Sequence, residues 1–210
     1  MNKKKKHIEE IFNSASHGVA AIASIIGLIV LIINSSEKEW MLFSSIVYGI
    51  SLIILYTSST LYHGLKNKRI KYIFRILDHC SIFFLIAGTY TPILLISIGG
   101  STGWLIFGIQ WTLALIGFIL KIFYTGKYEF ISVFFYIIMG WMIVVKWNYL
   151  ATSISDSAFN LLLAGGIIYT IGILFYLLDS KIKYFHFVWH LFVITGSILH
   201  YIVIIKYVIK

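Results

Sequence analysis

Short polar breaks divide this chain into apolar stretches of about twenty residues, the length an α-helix needs to cross the hydrocarbon of a bilayer. Seven stretches can be read, at about 17–33, 41–63, 76–96, 103–122, 130–147, 159–178 and 186–205. Between them lie NSSEKEW at 34–40, KNKRIKY at 66–72, SIGGSTG at 97–103, KIFYTGKYE at 121–129, a polar run from Lys146 to Ser157, and DSKIKY at 179–184. Lipid offers the backbone no hydrogen bonds, so isolated strands are excluded and such spans are helical. Only 12% of the residues are charged, whereas a soluble domain carries about 25%. The expected fold is an all-α integral membrane protein, a seven-transmembrane helix bundle in which residues 1–210 form a single domain.

A net charge of +9 invites a nucleic-acid reading, but the basic residues sit in short runs between apolar segments. That placement suits membrane orientation and anionic headgroups, so the expected partner is a membrane lipid and not a nucleic acid. With the N-terminus in the cytoplasm, the inside segments hold Lys3, Lys4, Lys5, Lys6, Lys66, Lys68, Arg69, Lys71, Arg75, Lys121, Lys127, Lys181 and Lys183. Outside there remain only Lys38, Lys146, Lys206 and Lys210. The bias places the N-terminus inside and the C-terminus outside. KKKK ahead of the first span resembles the start of a signal peptide, but Glu9, Glu10 and six further spans favour a retained helix. Abundant isoleucine and lysine suggest an AT-rich bacterial genome, and hence a bacterial plasma membrane. The one cysteine, Cys80, has no partner for a disulfide within the chain and reads as a small buried side chain. Oligomeric state leaves no mark on the sequence.

On this topology the polar residues that interrupt apolar spans gather at one depth. His17 begins span one, Ser58, Ser59 and His63 end span two, Asp78 and His79 open span three, and His186 and His190 open span seven. All lie in the inner leaflet, and no histidine was used to build the topology. Ionisable groups at membrane depth are costly and mark function. His186 and His190 are four residues apart, stacked on one helical face. We assign His63, His186 and His190 as ligands of a zinc ion, because three histidines with an open fourth position make a catalytic type of site. Magnesium and calcium prefer more oxygen ligands than are present here, while iron and copper fit the ligand type. Asp78 is then the general base toward a water at the metal, and Ser59, one turn before His63, is placed to donate to an oxyanion. Two duller roles stay open: Asp78 paired with Arg75 in an interfacial ion pair, and Ser59 bonded back to its own helix. His79 points about 100° away from Asp78 and is not given a ligand role. His200, nearly three turns beyond His190, is too far to share the metal and reads as a buried hydrogen-bonding group. Trp40, Trp104 and Trp147 fall near span ends, as interfacial anchors do.

Taken in order, these residues resemble the progestin and adipoQ receptor family, in particular its bacterial hemolysin III branch, from about Glu10 to Tyr201. The likeness rests on E-x2-N-x3-H (Glu10, Asn13, His17), on S-x3-H (Ser59, His63), on Asp78 in LDHCSIFFLIAGTYTP, and on H-x3-H in HFVWHLFVITGSILH. His79 after the aspartate and the run from Gly88 to Pro92 are similar to the bacterial branch. The resemblance implies a seven-helix bundle with zinc near the cytoplasmic side, held by His63, His186 and His190, with Asp78 in contact through water. It casts Glu10, Asn13, His17 and His79 as supporting motif residues. The family is also similar to alkaline ceramidases, which hydrolyse a lipid amide, whereas the hemolysin name implies lysis and bacterial members are linked to lipid homeostasis. Two expectations follow. One is a zinc-dependent hydrolase of a lipid amide or ester; the other is a non-enzymatic lipid-homeostasis regulator or pore former with structural zinc. No span shows a polar stripe suited to lining a pore.

Overall fold

A computed structural model of the chain describes residues 3–35 and 38–209. Of the residues used in the charge count and the loop reading, Lys210, Ser36, Glu37 and the side chains of Lys3, Lys4, Lys5 and Lys6 lie outside that description. The described residues are helical and contain no strand. The helices are α1 (Lys3–Asn34), α2 (Met41–Gly64), α3 (Lys68–Pro92), α4 (Gly100–Tyr124), α5 (Glu129–Gly140), α6 (Trp147–Ser153), α7 (Asp156–Leu178) and α8 (Phe185–Val203). Wider π turns extend α3 over Ile93–Ile98 and α8 over Ile204–Val208, and a 3₁₀ segment, Met142–Lys146, joins α5 to α6. Grouped by length and hydropathy they make seven membrane spans, with α5 and α6 sharing the fifth. The protein is an integral membrane protein with the seven-helix architecture expected from its sequence.

The ends of the spans differ from the expectation in an informative way. The third was expected from residue 76, yet α3 begins at Lys68, eight residues earlier. Asn67 caps it, its side chain accepting from the N–H groups of Arg69 and Ile70, which favours helix onset as strongly as any residue type can. Lys68, Arg69, Lys71 and Arg75 then occupy helical turns rather than a loop, because long basic side chains are good helix formers that reach for the headgroups. At the other end, Pro92 withholds an N–H and the helix widens into its π turn. The expected break at 97–103 shrinks to a sharp turn in which Gly99 and Gly100 both take positive φ, a conformation that favours glycine.

The fifth span departs furthest. Expected as one helix over 130–147, it breaks after Gly140. Carbonyls near the break are taken by neighbouring helices: Gln110 Nε2 donates to Met139 O at 2.8 Å and Tyr90 OH to Gly140 O at 2.6 Å. The polar run after Lys146 continues as helix to Ser153 instead of forming a loop.

α3 lies at the centre of the bundle and α7 at its rim. One core cluster packs Tyr48, Leu52, Leu55 and Tyr56 of α2 against Leu85 of α3 and Val193 of α8. A second joins Tyr90 and Leu94 to Ile106, Ile143 and Leu150 around the broken fifth span. α7 and α8 approach closely through small residues, the usual means by which helices associate in lipid. A Cβ at Gly172 would come within 2.9 Å of the Trp189 ring.

Candidate metal centre

The start of α1, the end of α2, the start of α3 and the start of α8 meet at one end of the bundle. His63 is in the last turn of α2, and His186 and His190 occupy the first two turns of α8. Their ring centres are 5.0 Å (His63–His186), 5.1 Å (His63–His190) and 4.8 Å (His186–His190) apart. Imidazoles bound through one nitrogen each to a tetrahedral zinc, with bonds of ~2.0–2.1 Å, hold their ring centres about 5 Å apart. One nitrogen from each ring lies within 4.8 Å of the other two. The spacing therefore fits a single ion.

The second nitrogen of each ring is already engaged. His63 Nδ1 is 3.0 Å from Glu10 Oε2, His186 Nδ1 is 2.7 Å from Asp179 Oδ2, and His190 Nδ1 is 3.3 Å from the carbonyl of Asn13. A carboxylate or carbonyl can only accept, so each Nδ1 carries the proton and each Nε2 keeps its lone pair. This is the outer-shell arrangement that orients histidine for metals. His63 Nε2 is buried and has no hydrogen-bond partner among the described residues. A buried polar atom of that kind asks for an occupant, and a metal ion is the one that the donor set suits. Glu10 is held in turn by Lys71 Nζ at 3.0 Å. Glu9 ties α8 in place by accepting from the N–H of Tyr184 at 2.9 Å, the residue of positive φ that precedes the helix.

The remaining site residues fall into distinct places. His17 is 3% exposed and stacks on His190, with ring centres 3.6 Å apart and planes at 11°. That parallel stack is unlike the tilted rings of the other three, so His17 supports His190 rather than joining the ligand set. Asn13 contributes its backbone carbonyl, while its side-chain oxygen is buried without a partner. Asp78 and Ser59 line an apolar cavity that opens beneath His186 and His190. The Asp78 carboxylate makes no hydrogen bond or ion pair among the described residues. Arg75, its proposed partner, instead lies against Gly126 in the α4–α5 loop. Ser59 Oγ is buried and unpartnered, so it does not bond back to its own helix; the neighbouring Thr60 does, to Tyr56 O at 2.6 Å.

His79 turns to a second polar cluster. Its Nδ1 is 3.5 Å from Glu129 Oε2, which also accepts from Lys121 Nζ at 2.5 Å and from Tyr176 OH at 3.1 Å. Glu129 Oε1 accepts from the N–H of Gly126 at 3.0 Å. Sequence reasoning missed this cluster because Lys121 and Glu129 stood as loop charges at either end of KIFYTGKYE. It missed Asp179 for the same reason, as one charge in DSKIKY. Only the opposite signs across a short turn hinted at the first, and nothing local at the second.

Comparison with known proteins decides the kinship. The family described as "Haemolysin-III related" matches residues 5–201. The chain belongs to the haemolysin-III-related family. Its relatives include Hemolysin-3 of Bacillus cereus, 44% identical over 203 residues, covering 96% of this chain and 92% of the relative. The Hemolysin-3 homolog of Bacillus subtilis (strain 168) is 40% identical, covering 96% and 95%. Monocyte to macrophage differentiation factor of Homo sapiens is 30% identical, covering 96% and 85%. The family agrees with the resemblance read from the motifs, and the bacterial relatives agree with a plasma-membrane location. The relatives' names refer to haemolysis and to cell differentiation; none names a cofactor or a reaction.

Proposed function

We propose that this haemolysin-III-related protein is a zinc-dependent hydrolase acting on a lipid amide or ester in the cytoplasmic leaflet. One observation carries the reading: two of the three clustered histidines, His186 and His190, line a cavity that also receives an unpaired carboxylate, Asp78, and an unpartnered hydroxyl, Ser59. An ion sealed in for structural purposes would need neither. The cytoplasmic side follows from the excess of Lys and Arg at the end where the histidines lie.

Zinc bound by His63, His186 and His190 supplies Lewis acidity and makes a nucleophilic water available near neutral pH. Asp78, on the cavity wall, accepts the proton from the attacking water. Ser59 Oγ donates to the oxygen that gains negative charge as the lipid carbonyl is attacked. Glu10, Asp179 and the Asn13 carbonyl keep the three rings in position. The walls farther in, among them Leu85, Ile86, Ile173 and Val193, are apolar and receive the acyl chain. The seam between α5 and α7 is lightly packed and is crossed by hydrogen bonds from Trp141 Nε1 to Thr170 Oγ1 at 3.0 Å and from Tyr176 OH to Glu129. It is the side entrance for a lipid.

The alternative is a regulator or pore former in which zinc only pins helices together. In its favour, α1, α2 and α8 are all tied to the centre through Glu10, Asn13 and the ligands. Asp78→Asn separates the two. Purified protein is assayed for metal content and for release of fatty acid from ceramide-like amides and lipid esters. Retained zinc with turnover reduced at least about a hundredfold, within the range of general-base catalysis, supports the hydrolase. Turnover in the wild type that Asp78→Asn leaves unchanged, or no turnover on either class of lipid, turns the assignment to the regulator.

A further inference from the structure

The cavity beneath the histidines runs inward between α3, α5, α7 and α8. It meets a second cavity that reaches Trp147 and Leu150, and the two share Thr89, Tyr90, Gly140, Trp141, Gly166 and His200 as a common ring of residues. His200 stands about 15 Å beyond His190 along the axis of α8, so the junction lies part-way down the path of a lipid chain.

Most polar side chains on that ring have partners. Thr89 Oγ1 donates to Leu85 O at 2.7 Å, and Trp141 Nε1 donates to Thr170. Tyr90 OH donates to Gly140 O and accepts from the N–H of Ile143 at 3.3 Å. His200 is the exception. Its Nε2 lies 3.1 Å from the carbonyl of Leu162, and because a carbonyl only accepts, Nε2 carries the proton and Nδ1 the lone pair. Nδ1 has no partner among the described residues. The Cδ2–Nε2 edge of the ring is pressed against Gly165, where a Cβ would collide with it. The opposite edge, with the buried Nδ1, faces away from Gly165, on a residue that lines both cavities.

An acceptor without a donor is costly in an apolar wall. The donor that suits it must travel on an otherwise apolar chain and sit well away from the headgroup. A hydroxyl on the acyl chain meets both conditions.

We propose that His200 reads the chain of the bound lipid, its Nδ1 accepting a hydrogen bond from a hydroxyl carried part-way along the acyl tail. This rests on the reading of the cavity as a lipid-chain site, and it adds a substrate class: hydroxylated acyl chains. A hydroxyl placed elsewhere on the tail finds no acceptor and loses its water, so position matters as much as presence. A polar site of this sort discriminates better than one more methylene of apolar contact does.

The test needs neither turnover nor metal. The full chain in nanodiscs is loaded with a fluorescent fatty amide, which is displaced by octadecanamide and by a positional series of its monohydroxy derivatives. The wild type is expected to bind one mid-chain hydroxy isomer about fivefold to tenfold more tightly than unsubstituted octadecanamide, the gain from one net hydrogen bond. His200→Phe removes that preference while still binding the unsubstituted chain. His200→Gln keeps much of it, because the amide can both donate to Leu162 O and accept; it also serves if the phenylalanine variant fails to fold. Equal affinity across the series in the wild type overturns the proposal and leaves the lipid cavity standing. A preference that survives in His200→Phe overturns the role of His200. No displacement by any chain overturns the lipid cavity itself, and this proposal with it.

Discussion

Two polar clusters lie at the same end of this bundle and they are built on opposite principles. Around Glu129, Lys121, Tyr176 and the Gly126 N–H all point at one carboxylate, and the lysine and glutamate charges cancel, with His79 Nδ1 alone lacking a hydrogen bond among the described residues, at 3.5 Å from the carboxylate. Around His63 the outer nitrogens are engaged but the inner atoms are not, with His63 Nε2, Ser59 Oγ and both nitrogens of His17 buried and unpartnered. The first cluster balances its charge within the chain and joins α3, α4, α5 and α7. The second leaves four buried atoms unanswered around three histidines spaced to hold one ion. In a membrane interior, a charge answered by its neighbour closes a cluster, whereas several unanswered atoms around one point leave room for a ligand.

That contrast can be broken most sharply at His190. His190→Ala should take metal content from about one zinc per chain to none, measured on freshly purified, chelator-free protein, because two nitrogens no longer hold the ion against water. Next in size, Lys121→Met leaves Glu129 without its closest cation, and Glu129→Ala leaves a buried ammonium. Each should lower stability by about 3 kcal/mol, since removing one partner of a buried pair strands the other charge. Thermal unfolding measures the loss, and zinc content should stay at the wild-type level. A variant here that emptied the metal centre would show that the two clusters are one system.

Smaller effects sharpen the difference. Glu10→Gln and Asp179→Asn keep the shape of each contact but weaken the acceptor that orients a ligand. Each should weaken zinc binding by about tenfold to a hundredfold in competition with a chelator. The smallest change in stability is expected from Ser59→Ala. Its hydroxyl has no partner to lose, so deleting it should leave the unfolding temperature unchanged or slightly raised, while turnover, where Ser59 serves the oxyanion, falls.

The seven spans were legible because length and apolarity are direct demands of the bilayer. The three histidines were legible because a shared depth, set by the topology, is visible without any side-chain geometry. What stayed hidden were contacts made by residues that read as loop charge. Asp179 and Glu129 belong to polar breaks in the sequence, yet each turns back to a side chain of an adjoining helix, Asp179 to His186 and Glu129 to the buried Lys121. Their contribution depends on how the helices pack, which local pattern does not encode. Lys68 to Lys71 misled in the other direction, since their charge suggested a loop where the Asn67 cap starts a helix. Arg75 and Asp78 are spaced to pair, but the neighbouring turn at Gly126 offers the guanidinium another place to lie.

The break in the fifth span has a consequence for biogenesis. Its helix cannot satisfy every carbonyl around Gly140 by itself, and lipid supplies no donors. Gln110 and Tyr90, which do supply them, belong to the third and fourth spans. Synthesis from the N-terminus delivers those two helices to the membrane before the fifth emerges. The order of the chain is thus also an assembly schedule, in which the least self-sufficient helix arrives after its partners.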